Sequence, residues 1–157
     1  MKSEAEITEY IAQNLPGAAA ITAPGGTFFF YDPNGDVPAE RRFPFATIVI
    51  NDDYDQASQL SRPGIFRLNI GVSKETYRAM FGQPPAKTLG PNDVVETGHD
   101  FTALDVLMPH PVYAAQSWVS VLNPGDATLE DVKRLLAEAY EIAVRKYSKL
   151  SAANGDE

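Results

Sequence analysis

The sequence predicts an α+β domain in which an antiparallel β-sheet carries an N-terminal and a C-terminal helix on one face. Two observations support this class. The chain has helical periodicity near both ends, and the apolar runs between them are short, β-branched and separated by turn residues rather than by helices. Because parallel strands need long crossover connections, a Rossmann-type sheet is disfavoured.

Size and charge limit the classes of function. A chain of 157 residues is large enough to bury a core, and we expect one domain over residues 1–150 and a disordered tail over 151–157. The net charge of -8 repels nucleic acid and anionic lipid surfaces. The sequence has no cysteine, no signal peptide and no apolar run of membrane-spanning length, so we expect a soluble cytoplasmic protein.

Local signals predict the first helix and the first two strands. Ser3 and Glu6 form a capping box ahead of apolar residues at helical spacing, which predicts a helix over residues 4–15. Residues 18–22 and 27–31 are apolar runs on either side of a Pro-Gly-Gly turn, so they predict two strands of a hairpin.

The middle of the chain predicts two further strands and a short helix. Residues 45–51 form an almost continuous apolar run, which is typical of a central strand. Residues 65–72 alternate, which places Arg67 and Asn69 on one face of a strand and the apolar positions between them on the other. Ser73 then caps a helix that we expect to end at Phe81.

The second half begins with a long loop. Residues 83–100 are rich in Pro, Gly, Asn and charge, and long loops inside compact domains are usually functional or mobile. We expect a short helix over residues 101–107 and a strand over residues 117–122. Thr128 caps a final helix that we expect to run to about residue 150.

Several segments resemble known families. The segment SWVSV, a turn and ATLEDVKRLLAEAYEIAVRKY, with its central Ala139-Tyr140 pair, resemble the C-terminal half of MmcQ/YjbR-like proteins. The pieces RRFPFATIV, RPGIFRLNIGVS and LMPHPVYAAQSW resemble an uncharacterised actinobacterial domain family related to that group. The resemblance implies a CyaY-like α+β fold and no established reaction. MmcQ/YjbR-like proteins have been suggested to bind DNA, which the negative charge of this chain disfavours.

The segment from residue 99 to residue 122 holds both histidines and the only tryptophan. His99, Asp100 and His110 are candidate catalytic residues, since an imidazole oriented by a carboxylate can act as a base. Their spacing matches no metal motif, so we expect neither a metal site nor a cofactor. The alternative is that His110, between two prolines, lies in a rigid turn and hydrogen-bonds to the backbone.

Arginine and aromatic residues are candidates for ligand binding. Guanidinium groups bind carboxylate and phosphate in a bidentate manner, which points to Arg42 and to Arg67 with its neighbour Asn69. The alternative is that the arginines pair with the acidic group Asp52, Asp53 and Asp55. Trp118 and Tyr113 are candidates for the wall of an apolar pocket, although a tryptophan in this position is more often a core residue.

These patterns predict a binding domain that holds a small molecule or a protein partner in a cleft on the free sheet face. A second subunit could occupy the same face and form a homodimer. The first alternative is a small His/Asp-dependent enzyme with a hydrolase or tailoring activity. DNA binding comes third, because only the family resemblance supports it.

Overall fold

A computed structural model describes residues 3–86 and 93–155, with side chains through residue 150. Short 3-10 turns at Ala39–Arg41 and Ala114–Gln116 accompany the main elements. In chain order the elements of this described part are α1 (Glu4–Asn14), β1 (Ala18–Ala23), β2 (Gly26–Tyr31), β3 (Ala46–Val49), β4 (Arg67–Gly71), α2 (Lys74–Phe81), β5 (Met108–Pro109), β6 (Trp118–Leu122) and α3 (Leu129–Gly155).

The strands form one antiparallel sheet in the order β1-β2-β3-β4-β6-β5. The predicted α+β class, with an N-terminal and a C-terminal helix, is therefore confirmed. The strand predicted to be central is β3, which lies between β2 and β4. The predicted capping box is present at the start of α1, where Ser3 and Glu6 bond reciprocally.

One side of the sheet, which we call the helix face, packs against the helices. Its strand residues are Phe29, Ala46, Ile48, Leu68, Ile70, Val119 and Val121. They form one core with Ile7 and Ile11 of α1, Tyr77 of α2, and Leu135 and Leu136 of α3. Full burial of an aliphatic side chain stabilises a fold by about 1.5–3 kcal/mol, so this core is the main source of stability.

The opposite side, the far face, carries the alternate residues of the same strands. One row across it pairs Phe28, Thr47, Asn69 and Ser120 on adjacent strands. The sequence predicted this face to be free, but it is partly covered. A second apolar cluster of Val49, Leu60, Met108 and Leu122 covers the end of the face near Arg67, because the connection after β3 folds back over it.

The helix predicted over residues 101–107 is wrong. This segment forms turns, with an isolated bridge between Leu104 and Leu122 of β6. Asp105 has a positive φ of 55°, which a right-handed helix does not accept. Its carboxylate instead accepts hydrogen bonds from the backbone of Gly125 and the side chain of Thr128, at 2.8 and 2.6 Å. These bonds tie the segment to the turn before α3.

The ends of the described chain differ slightly from expectation. α3 continues to Gly155, five residues past its predicted end. Residues 156–157 and residues 87–92 of the predicted long loop lie outside the described residues, and the disordered tail stays a prediction. No helix in the described part is both long and apolar enough to cross a membrane.

The two edges of the sheet are built differently. β5 is only two residues long and contains a proline, Pro109. β1 is six residues long, pairs with β2 along its whole length, and has the uncharged sequence AAAITA.

Candidate functional site

The far face has a buried ion pair at its covered end. Arg67 on β4 binds Asp55 in a bidentate manner, with Nη1–Oδ1 and Nη2–Oδ2 distances of 3.0 and 2.7 Å. The two side chains are 1% and 4% exposed. Arg67 Nη1 also donates to Ser58 Oγ at 3.0 Å. Pairing with one of the nearby aspartates was the predicted alternative to ligand binding for Arg67, and the structure shows this pair with Asp55.

Asn69 extends the ion pair into a hydrogen-bonded row. Its Oδ1 accepts from Arg67 Nε at 2.9 Å and from Ser120 Oγ at 2.7 Å. Its Nδ2 donates to Thr47 Oγ1 at 3.0 Å. Thr47 and Ser120 are the register partners of Asn69 on β3 and β6, so three strands are joined by side chains as well as by backbone. We call these residues, together with Asp55 and Ser58, the polar floor.

Electrostatics keeps the ion pair charged. Burial raises the pKa of Asp55, but the hydrogen bond and the positive charge of Arg67 outweigh it, so the pKa lies below its ordinary value of 3.8. The carboxylate is therefore ionised at neutral pH and remains a partner for the guanidinium.

His110 lies beside the polar floor, just after β5. The backbone N–H groups of Val112 and Tyr113 both donate to its Nδ1, each at 3.0 Å. A nitrogen that accepts hydrogen bonds carries no proton, so the proton of the neutral ring is on Nε2. Burial, and secondarily the charge of Arg67, lowers the pKa of His110 well below 6.5 despite the opposing charge of Asp55. The ring is therefore neutral at physiological pH.

The Nε2–H of His110 has no acceptor among the described residues. The side chain is 4% exposed and lines the cleft described below. His110 thus presents a hydrogen-bond donor, rather than a basic lone pair, to that cleft.

Trp118 covers the open end of the far face. It pairs in register with Gly71 of β4, and a Cβ atom at Gly71 would lie 3.0 Å from Cε2 and Cζ2 of the indole. The ring therefore lies across a position that has no side chain. His110 contacts Trp118 edge-on, with ring centroids 6.4 Å apart, and Tyr113 at 5.0 Å. Two of the predicted wall residues thus meet at one imidazole.

A cleft of about 910 Å³ opens above these residues. It extends from the far face around the end of the sheet to the C-terminal half of α3. Its aromatic walls are formed by Phe28, Phe30, Tyr31, Phe43, Phe45, Tyr54, Tyr113, Trp118 and Tyr147. Of these, Phe43 and Tyr113 are 75% and 48% exposed, which is unusual for large apolar side chains in a stable domain.

The cleft brings together most of the candidates named from sequence. Arg67, Asn69, Trp118, Tyr113, Arg42 and His110 all line it. Arg42 is held by a hydrogen bond of 3.0 Å from its Nε to the carbonyl of Val37. The candidate ligand-binding residues therefore share one cavity, although Arg67 lies in its floor and is enclosed by other side chains.

His99 and Asp100 lie elsewhere. The exposed ring of His99 packs edge-on against Phe81 of α2, and its Nδ1 is 3.0 Å from Thr97 Oγ1. The backbone N–H and the hydroxyl of Thr102 both donate to the carboxylate of Asp100. These hydrogen bonds lower the pKa of Asp100. Within the described residues, no group of three or more His, Asp or Glu side chains is arranged to hold a metal ion.

Sequence reasoning missed four of the residues described above. Ser58 and Phe43 lie in connections, where alternation says nothing about direction. Thr47 and Ser120 could have been found, because each is the single polar residue of an otherwise apolar strand. Together with Asn69 on the strand between them, they indicate a shared polar row.

Comparison with known proteins gives a family but no characterised relative. No curated protein and no solved structure matches the chain. A family model described as a family of unknown function, DUF6194, matches residues 1–152. Because the match spans almost the whole sequence, the chain belongs to the DUF6194 family.

Proposed function

We propose that the protein is a binding domain that holds a small molecule in the far-face cleft. The observation that carries this proposal is the convergence of Trp118, Tyr113 and His110 on one cleft above a polar floor. A volume of about 910 Å³ lies within the range typical of small-molecule sites. A floor whose side chains already bond to one another also needs little reorganisation on binding.

The candidate residues have different roles in this proposal. Trp118 and Tyr113 are the walls that contact the apolar part of a ligand, and Arg42 is at the rim. Arg67 and Asn69 position the floor, because their polar groups are already bound to Asp55, Ser58, Thr47 and Ser120. Four of the five N–H groups of Arg67 are already used in bonds to described residues, which leaves one Nη2–H for a ligand.

The geometry of His110 supports binding over the alternative of a His/Asp-dependent enzyme. A general base needs a free lone pair, and the lone pair on Nδ1 is occupied by two backbone N–H groups. The other nitrogen carries the proton and suits the recognition of an acceptor. His99 and Asp100 are not among the residues that line the cleft.

Family relationships add a second, weaker proposal. On the sequence segments described above, we infer that this family is related to MmcQ/YjbR-like proteins and shares a CyaY-like fold. DNA binding has the least support, because the net charge of -8 opposes it. A homodimer and a cytoplasmic location stay predictions.

A thermal-shift screen of metabolites and divalent metals tests the proposed function. A ligand at 100 times its Kd should stabilise the fold by about 2.7 kcal/mol and raise Tm accordingly. It should also change the emission of Trp118, the only tryptophan. The variant Tyr113→Ala should lose the stabilisation, whereas Val106→Ala, at a similarly exposed position outside the cleft lining, should keep it.

Two results would count against this proposal. Ligands that stabilise Tyr113→Ala as well as the unchanged protein, and leave Trp118 emission unaltered, would bind elsewhere. A metal-dependent rise in Tm that disappears in His110→Ala would instead favour the enzyme.

A further inference from the structure

The charged groups that line the cleft are mostly cations, although the protein as a whole is acidic. Arg67 and Asp55 neutralise each other in the floor. The remaining charged lining residues are Arg41, Arg42 and Lys146. A concentration of positive charge in a concave site attracts anions, because low-dielectric walls focus the field of those charges. On a chain with a net charge of -8, this local reversal of sign needs an explanation.

Among the described residues, the three cations have no acidic partner. None of them forms an ion pair within 4 Å with a described residue. Lys133 and Arg134, farther back on the same helix as Lys146, do form pairs, with Glu130 at 3.8 Å and Asp131 at 3.0 Å. These two cations outside the cleft are therefore paired, whereas the three that line it form no such pair with a described residue.

Arg42 is also oriented. Its Nε bond to the Val37 carbonyl fixes the guanidinium and leaves both terminal nitrogens without a bond to a described residue. Two terminal N–H groups in a plane match the two oxygens of a carboxylate or a phosphate.

Apolar surface lies directly beside these charges. Phe43 follows Arg42 in the chain and is 75% exposed. The aromatic walls continue from there to Trp118, where the donor Nε2–H of His110 faces the same cleft. Aromatic walls favour a flat apolar body, and the His110 donor favours an acceptor atom on it.

We propose that the cleft selects a flat organic anion, with its carboxylate or phosphate at Arg41, Arg42 and Lys146 and its aromatic body between the aromatic walls. This inference rests on the proposed function and adds the chemical class of the ligand. It predicts discrimination by charge among ligands of the same shape.

Three probes of one shape and different charge test the inference: 2-naphthoate, neutral 2-naphthamide and cationic 2-naphthylmethylammonium. Isothermal titration calorimetry on the full chain should give the lowest Kd for the naphthoate, about ten-fold below that of the amide, which corresponds to about 1.4 kcal/mol. The advantage should shrink as salt is added, because exposed charges are screened.

Matched variants locate the effect. The double variant Arg41→Gln with Arg42→Gln should raise the naphthoate Kd to about that of the amide and leave amide binding unchanged. Lys146→Gln, which changes a residue of α3, should also raise the naphthoate Kd. Arg134→Gln removes the same charge outside the cleft lining and should have no effect. All four side-chain replacements are at exposed or half-buried positions, and Tm verifies that each variant is folded.

The outcomes separate the two proposals. Equal Kd values for the three probes, with loss of binding in Tyr113→Ala, would overturn the anionic class and leave the binding function standing. A naphthoate preference that survives both cleft variants would overturn the assignment to these three cations. Failure of all three probes to bind, with no change in Trp118 emission, would count against both proposals.

Discussion

The two faces of this sheet are made from alternate residues of the same strands, yet different forces hold them. On the helix face, Leu68 and Ile70 pack among apolar side chains from three helices. On the far face, Arg67 and Asn69, their immediate neighbours, are equally buried but are held by hydrogen bonds and an ion pair. Burial alone therefore does not distinguish the two faces.

The difference lies in how each face responds to change. Apolar packing is non-directional, so a lost methyl group costs its own burial and a cavity. A buried polar network depends on every member, because removing one partner leaves the others desolvated and unsatisfied. The helix face thus stabilises the fold without directional bonds, and the far face holds its side chains at fixed positions by directional bonds. The following predictions test this contrast.

Breaking the ion pair should have the largest effect. Arg67→Met should lower the free energy of unfolding by about 3–5 kcal/mol, because Asp55 would remain charged and buried without its partner. Urea unfolding measures the loss. The double variant Arg67→Met with Asp55→Leu is the matched control and should recover most of it. A loss below about 1 kcal/mol in the single variant would mean that the pair behaves like a surface salt bridge.

Truncation on the helix face should be nearly as costly but should leave the cleft intact. Leu135→Ala removes a fully buried side chain of α3 and should cost about 3 kcal/mol by urea unfolding. Leu104→Ala, at a leucine that is 44% exposed, should change stability by less than about 0.5 kcal/mol. Trp118 emission should be unaltered in both variants. A shifted emission in Leu135→Ala would contradict the independence of the two faces.

The far face should also make stability depend on pH. The folded pKa of His110 lies below 6.5, so the unfolded chain takes up the proton first as pH falls. The contribution of His110 to the free energy of unfolding is therefore fully present above about pH 6.5. Below that pH it decreases by up to about 1.4 kcal/mol per pH unit, until the ring is also protonated in the folded state. At lower pH, protonation of the Asp55 carboxylate decreases the free energy of unfolding further.

A single substitution isolates the histidine. His110→Asn places an amide oxygen where Nδ1 accepts from Val112 and Tyr113, and it has no titrating ring. Urea unfolding at several pH values between 5 and 7.5 should then give a flatter dependence than in the unchanged protein. An identical slope in both proteins would assign the pH dependence to other groups.

The smallest effect is expected at the open end of the far face. Gly71→Ala would place a Cβ 3.0 Å from the indole of Trp118, so the ring must shift, at a cost of about 1 kcal/mol. Trp118 emission should report the movement. Gly26→Ala is the contrast, because its Cβ would lie 2.6 Å from the backbone oxygen of Ile48, which cannot move as easily. It should therefore cost more, and an equal or smaller cost would contradict this difference.

Much of this architecture could be predicted from local pattern. Alternation correctly separated Arg67 and Asn69 from Leu68 and Ile70, because a strand with one helix-packed face must alternate.

The rest depends on contacts between distant segments. The choice of Asp55 over its acidic neighbours as the partner of Arg67 depends on how residues 50–66 fold over the sheet. The apolar spacing of residues 101–107 favoured a helix, but Asp105 instead bonds to the turn before α3. The tautomer of His110 is determined by two amides within three residues of it, yet it depends on the turn that directs them.

The unpaired edge of β1 affects how the protein behaves at high concentration. Natural proteins protect the edge strands of their sheets with lysine, proline or a short strand length. β5 is protected by its length of two residues and by Pro109, whereas β1, with the sequence AAAITA, has none of these features. If the β1 edges of two copies paired, they would form one continuous sheet across the edge opposite β5. Because no residue of β1 lines the cleft, such association would leave the mouth of the cleft open while light scattering rises with protein concentration.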